Sequence, residues 1–177
     1  GYAPAEIPAL ILEHNLHGLD ICPRATQLAA LTLVLKAREK SRRFFAIEKI
    51  VQPRILALQD IHFEDSELRE YVSALQLGDL FNGPMLQLLH QFDESTTFGS
   101  LIRPCLDGRA ITFARSAIAT KDLGGQLFLR ATHLKVLRVL EQAGLLCQRY
   151  HVVVANPPYM GSKAMNGRLK VLNAEMT

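Results

Sequence analysis

The residues Asn-Pro-Pro-Tyr at positions 156–159 have the side chains that a binding site for a planar amino group needs. The carboxamide oxygen of Asn156 and the rigid backbone carbonyl of Pro157 are two hydrogen-bond acceptors in fixed positions. Two such acceptors can hold both hydrogens of an amino group and leave the nitrogen lone pair directed at an electrophile. Tyr159 adds a flat face on which a ring can stack. An exocyclic amine on an aromatic base uses all three features.

The segment before these residues predicts how they are held. Residues 152–155, Val-Val-Val-Ala, are typical of a short buried strand in a parallel sheet. Pro157 and Pro158 have no backbone N–H and a fixed φ, so the strand has to end there. The turn would then lie at the carboxyl end of a strand, where open α/β sheets bind ligands. The alternative is an ordinary strand followed by a proline turn with an exposed tyrosine.

The tetrapeptide at positions 156–159 resembles the catalytic motif of amino-group methyltransferases that use S-adenosylmethionine. The longer string Val-Val-Ala-Asn-Pro-Pro-Tyr-Met-Gly-Ser-Lys, residues 153–163, is similar to the adenine-specific DNA methyltransferases of phage-defence systems, of the BREX or phage-growth-limitation type. That family usually has Asp where this chain has His151.

The resemblance implies transfer of a methyl group from S-adenosylmethionine to the exocyclic amine of adenine in double-stranded DNA, with the base flipped out of the duplex. Asn156 and Pro157 would hold the amine, Pro158 would complete the rigid turn, and Tyr159 would stack on the base. No metal is required. Other subunits of a phage-defence system are possible partners.

Two acids follow predicted strands. Asp20 lies near the end of a strand predicted at residues 15–22, and a carboxylate there can accept hydrogen bonds from both hydroxyls of a ribose. The resemblance implies that Asp20 and Ile21 bind the cofactor; alternatively, Asp20 caps the following helix. Asp60 ends a second predicted strand at residues 54–60. By resemblance it would reach the cofactor's adenine, and otherwise it is a helix N-cap or a loop acid.

The remaining pattern is mainly helical. The predicted fold class is α/β, a partial Rossmann-like methyltransferase sheet with a helical insertion at residues 61–150 before the catalytic strand. A helix at residues 25–43 should pack through an apolar stripe that includes Leu28, Leu31 and Leu35. Its basic end contacts DNA phosphates or is simply solvated. Further helices are predicted at residues 3–14, 66–77, 84–92 and 132–146.

Composition sets the class of protein. The chain has 177 residues, 49% apolar and 21% charged, which is typical of one soluble globular domain. A net charge of +3 is compatible with a nucleic-acid partner but does not establish one. No apolar run is long enough for a transmembrane helix, and no signal peptide is visible. Three widely spaced cysteines predict reduced, mostly buried cytoplasmic thiols and no zinc site.

One feature of the family is missing from the sequence. The resemblance implies a glycine-rich turn after a first strand, ahead of Asp20, yet the eleven glycines include no Gly-x-Gly. We therefore expect an internal fragment, residues 1–177 of a partial catalytic domain that lacks the first strand and the cofactor loop and is inactive alone. Two alternatives stay open: methylation of a glutamine amide in a protein, and a non-catalytic DNA-binding fragment.

Overall fold

The computed structural model describes residues 1–46, 51–78, 80–81, 83–123 and 127–155. The chain divides into two units, Gly1–Gln59 and the part from Asp60 onward.

The first unit contains a strand–helix–strand arrangement. Strand β1, His17–Asp20, pairs in parallel with strand β2, Arg54–Ala57, so that Asp20 lies opposite Ala57. Helix α2, Pro23–Lys40, connects them and packs against both strands. Pro23 suits the first turn of α2 because its missing N–H would have had no partner there. A small parallel sheet with a crossover helix is compatible with an α/β methyltransferase fold.

The helix predicted at residues 3–14 is observed as helix α1, Ile7–Leu10, which continues as a π-helical turn at Ile11–Asn15. A small core lies between this segment and α2. It consists of Leu12, Ala37 and Phe44, with Leu33 and Val34 packed against it.

The prediction of which face of α2 packs against the rest of the unit is wrong. Leu28, Leu31 and Leu35 are 65%, 54% and 56% exposed. The small core lies on the side of Leu33 and Ala37, and a helix that packs through one side leaves the other in solvent. The leucine stripe is therefore an exposed apolar face in the described part of the chain.

The second unit is helical over its described residues. Its helices are α3 (Asp65–Ala74), α4 (Gly83–His90), α5 (Ser95–Phe98), α6 (Gly108–Ala119) and α7 (Leu127–Cys147), with a 3-10 turn at Gly99–Leu101. Helix α7 packs against both α3 and α6. Val136, Val139 and Leu140 of α7 are fully buried, so α7 is the centre of this unit's core.

Three of the predicted helices in this region correspond to α3, α4 and α7. Helix α6 was not predicted, although Asp107 is a good N-cap residue whose side chain accepts a hydrogen bond from the backbone N–H of Ala110 at 2.8 Å. Its buried stripe of Ile111, Ala114 and Ile118 has helical spacing. The small central alanine makes that stripe weak in a hydropathy pattern.

Residues 152–155 do not form the predicted buried strand. Val152, Val153 and Val154 are 79%, 75% and 93% exposed, and no strand hydrogen-bonds to them within the described residues. An apolar run becomes a buried parallel strand only where neighbouring strands flank it. Apolarity alone therefore did not determine the structure of this segment.

The helices that the structure describes were also compared with the length and apolarity that a membrane span requires. None of them meets both requirements.

Candidate functional site

Asp20 lies at the carboxyl end of β1, as predicted, although the strand ends two residues earlier than expected. The backbone N–H of Leu58 donates to the Asp20 carbonyl at 2.8 Å, which extends the pairing with β2 by one bond. The Asp20 side chain is exposed, and its Oδ1 accepts a hydrogen bond from the N–H of Cys22 at 2.7 Å. This contact holds the carboxylate at the point where the chain turns into α2.

The contact with Cys22 uses only one carboxylate oxygen. Within the described part of the chain, Oδ2 of Asp20 accepts no hydrogen bond. An ionised carboxylate has about four acceptor positions, so a role at the start of α2 and a role toward a ligand are compatible. Ile21, the next residue, is 54% exposed and provides an apolar surface beside the carboxylate. An acid next to an apolar side chain suits a nucleoside, which has a polar ribose edge and an apolar base.

Asp60 has a different environment. Its Oδ1 accepts a hydrogen bond from the backbone N–H of Thr96 at 2.7 Å, and its Oδ2 accepts one from the Thr96 hydroxyl at 2.7 Å. The hydroxyl of buried Ser95 also donates to Oδ1, at 3.4 Å. These contacts hold the start of α5, whose N-cap residue is Glu94, so Asp60 is a loop acid that contacts a distant helix and is not its N-cap. A direct contact between Asp60 and adenine stays a prediction.

The predicted site residues fall into three parts of the chain. Asp20 and Ile21 belong to the first unit, and Asp60 begins the second. The catalytic candidates lie outside the described residues; they are Asn156, Pro157, Pro158 and Tyr159.

Two polar contacts between α3 and α7 were not predicted. The Tyr71 hydroxyl lies 2.9 Å from Nδ1 of His133, and both side chains are buried. Burial raises the pKa of Tyr71 and lowers the pKa of His133, so both groups are neutral near pH 7. Glu67 accepts hydrogen bonds from the Thr132 hydroxyl at 2.6 Å and from the Lys135 ammonium at 2.9 and 3.0 Å.

These contacts between α3 and α7 have a structural role. Burial acts to raise the pKa of Glu67, but the hydrogen bonds from Thr132 and Lys135 outweigh it and hold that pKa below its ordinary value. No local pattern in the sequence indicates either contact, because the partners are more than sixty residues apart.

The cysteines differ from expectation. Cys22 and Cys105 are exposed and Cys147 is half-buried, so the prediction of mostly buried thiols is wrong. Burial, and then the nearby Asp107 and Cys105, raise the pKa of Cys147. Among the described residues, no three or more His, Cys, Asp or Glu side chains are arranged to hold a metal ion.

Comparison with known proteins shows that the chain is similar to two bacterial enzymes. The chain is 32% identical to the adenine-specific methyltransferase BrxX of Escherichia coli O9:H4 (strain HS) over an alignment 190 positions long, gaps included, which covers 96% of this chain and 16% of that protein. It is 30% identical over 169 residues to the adenine-specific methyltransferase PglX of Lacticaseibacillus casei (strain Zhang), covering 93% of this chain and 14% of that protein. The chain thus spans 16% and 14% of the lengths of these two relatives.

A family model gives the same assignment over nearly the whole sequence. The match extends from residue 14 to residue 176 and includes the end of β1, Asp60 and the motif at positions 156–159. The chain belongs to the Eco57I restriction-modification methylase family.

Proposed function

We propose that this chain is part of an enzyme that transfers a methyl group from S-adenosylmethionine to the exocyclic amine of adenine in DNA, in restriction-modification or phage defence. The single observation that carries the proposal is the extent of the family match. That match includes both the acid at the end of β1 and the Asn-Pro-Pro-Tyr motif, which are the two parts of the predicted site. The relatives are both named adenine-specific methyltransferases, which favours adenine over a protein amide as the acceptor.

The cofactor side of the proposal rests on Asp20. The ribose of S-adenosylmethionine would take the carboxylate oxygen that Cys22 does not use, and Ile21 would pack against the nucleoside. The exposed position of both side chains at the carboxyl end of β1 fits a nucleotide-type ligand. When bound, S-adenosylmethionine supplies an electrophilic methyl group.

The acceptor side of the proposal rests on the motif. Asn156 and the backbone carbonyl of Pro157 would accept hydrogen bonds from the two amine hydrogens of adenine, while Pro158 keeps the turn rigid. Tyr159 would stack on the flipped base. The lone pair of the amine would then be directed at the methyl group, so that catalysis consists of positioning and electrostatic stabilisation.

The test uses the complete reading frame that contains this sequence, expressed in a host without adenine methylation. We expect the unaltered protein to produce N6-methyladenine in host DNA, and Asn156→Ala to lower the rate by about 100-fold or more, which is typical when a group positioned for the transition state is removed. Mass spectrometry of digested DNA measures the product. Asn166→Ala, a substitution of the same kind ten positions after Asn156 and outside the motif, is the matched control.

Two results would contradict the proposal. If Asn156→Ala leaves the rate of DNA methylation unchanged, the motif does not take part in catalysis. Labelled methyl groups that appear on protein and not on DNA would favour the glutamine-amide alternative.

A further inference from the structure

Charge is unevenly distributed along the chain. Between Asp107 and Arg149, the segment that contains α6 and α7, there are seven lysines and arginines and three acids. The rest of the chain has thirteen basic and fourteen acidic residues, so the positive net charge of the molecule comes from this segment. Helix α6 itself contains no acid. A local excess of cations on the exposed faces of helices attracts polyanions.

Two arginines of this segment meet across the helix pair. The Glu141 carboxylate of α7 lies 3.2 Å from the Arg138 guanidinium on the same helix and 3.9 Å from the Arg115 guanidinium of α6. One carboxylate therefore holds two guanidinium groups near each other, with a net charge of +1. Both arginine side chains are about half exposed, so the N–H donors that Glu141 does not use can reach a ligand.

A third arginine lies on the same side of α7. Arg130, Leu134 and Arg138 follow each other at intervals of four residues, which places them on one helix face, and all three are exposed. Arg130 has no ion pair within the described residues, whereas Lys135, on a different side of α7, is paired with Glu67. Arg130 and Arg138 are about 12 Å apart along the helix axis, because each residue adds about 1.5 Å. We call Arg115, Arg130 and Arg138 the arginine face.

We propose that the arginine face binds the phosphate backbone of double-stranded DNA. Two guanidinium groups held about one carboxylate suit phosphate oxygens, to which arginine donates in a bidentate geometry. A separation of about 12 Å corresponds to an axial rise of three or four base pairs along a duplex. Such contacts position a duplex without reading its sequence. The choice of DNA over another polyanion rests on the proposed function.

The experiment measures binding of the 177-residue chain to a fluorescent 20-base-pair duplex by anisotropy, without S-adenosylmethionine, over a range of salt concentrations. We expect Arg115→Gln with Arg138→Gln to weaken binding by about 10-fold or more at low salt. The slope of log K against log salt should fall by about 1.8, because each lost phosphate contact removes about 0.9. The matched control is Arg69→Gln with Arg103→Gln, two exposed arginines outside α6 and α7, which removes the same charge and should change affinity by less than about 2-fold.

A variant with increased affinity for DNA distinguishes an effect of charge from a loss of binding caused by misfolding. Glu141→Gln removes the carboxylate that pairs with Arg115 and Arg138, and we expect it to tighten DNA binding several-fold, which a damaged fold would not do. The inference is overturned if the control pair weakens binding as much as the arginine pair, if Glu141→Gln weakens it, or if the unaltered chain does not bind the duplex. Equal or tighter binding of an RNA duplex or of anionic vesicles through the same arginines would also overturn the assignment to DNA.

Failure of this inference is distinguishable from failure of the proposed function. If Arg115→Gln with Arg138→Gln does not affect DNA methylation by the complete protein, the inference about the arginine face is wrong and the methyl-transfer proposal stands. If the protein binds DNA through the arginine face but methylates no DNA, the methyl-transfer proposal is wrong and the inference about the arginine face stands.

Discussion

At the scale of single residues, Asp20 makes a local contact that leaves room for a second role. The sequence left open whether this acid caps the following helix or binds a ribose. The structure shows a hydrogen bond from the Cys22 N–H to Oδ1, which closes a turn before α2; the N-cap residue of α2 is Cys22 and not Asp20. Oδ2 accepts no hydrogen bond from the described residues, so the ribose role remains a compatible proposal.

Also at this scale, the contact between His133 and Tyr71 makes stability depend on pH. Because burial lowers the pKa of His133 below its ordinary value near 6.5, the unfolded chain binds a proton more readily than the folded chain. The stabilisation from the neutral ring is therefore complete above about pH 6.5 and is lost as pH falls toward the lower folded-state pKa. We expect the free energy of unfolding, measured by urea denaturation, to fall between pH 7.5 and pH 5.5.

The control for this prediction is a pair of substitutions. His133→Gln should reduce the pH dependence, since it removes the titrating group, while His14→Gln, at an exposed position, should not. A pH dependence that is the same in the unaltered chain and in His133→Gln would assign the effect to other groups.

At the scale of elements, Glu67 links α3 to α7. Its carboxylate accepts hydrogen bonds from Thr132 and Lys135 of α7, and it also faces the N–H of Glu64 at the start of α3, at 3.5 Å. We expect Glu67→Gln to lower the free energy of unfolding by about 1–2 kcal/mol, because hydrogen bonds to a charged acceptor are lost in a partly buried place. Thermal and urea denaturation followed by circular dichroism measure the change.

Glu70→Gln on the same helix is the matched control for this bridge. Glu70 is exposed, and a surface substitution of this kind should change stability by no more than about 0.5 kcal/mol. If the two variants lose equal stability, the effect comes from the charge of α3 and not from its contact with α7.

At the scale of the whole molecule, the exposed leucines of α2 predict self-association. Leu28, Leu31 and Leu35 lie on one helix face, and a continuous apolar stripe in water favours contact with another apolar surface. We expect Leu31→Gln with Leu35→Gln to lower the apparent mass in sedimentation velocity at micromolar concentration, without a loss of helical content. An unaltered chain that sediments as a monomer at these concentrations would contradict the prediction.

The control for self-association uses exposed apolar residues elsewhere. Leu101 and Phe113 of the second unit are 42% and 69% exposed but do not lie in a stripe of neighbouring apolar residues on one helix. Leu101→Gln with Phe113→Gln should leave the sedimentation profile unchanged, since isolated apolar residues are ordinary on protein surfaces.

The sequence alone determined the local features of this protein. Proline positions and hydrophobic spacing predicted β1, β2 and most of the helices, because these signals act through neighbouring residues. The motif at positions 156–159 indicated the family, which the comparison confirmed.

Only the tertiary structure decided which groups meet over long distances. Asp60 holds the start of α5 more than thirty residues later, and Arg115 and Arg138 meet at Glu141 across two helices. The exposure of the leucine stripe and of residues 152–154 was also decided at this level. An apolar side chain is buried only where another element covers it, and the spacing of residues within one element carries no information about that cover.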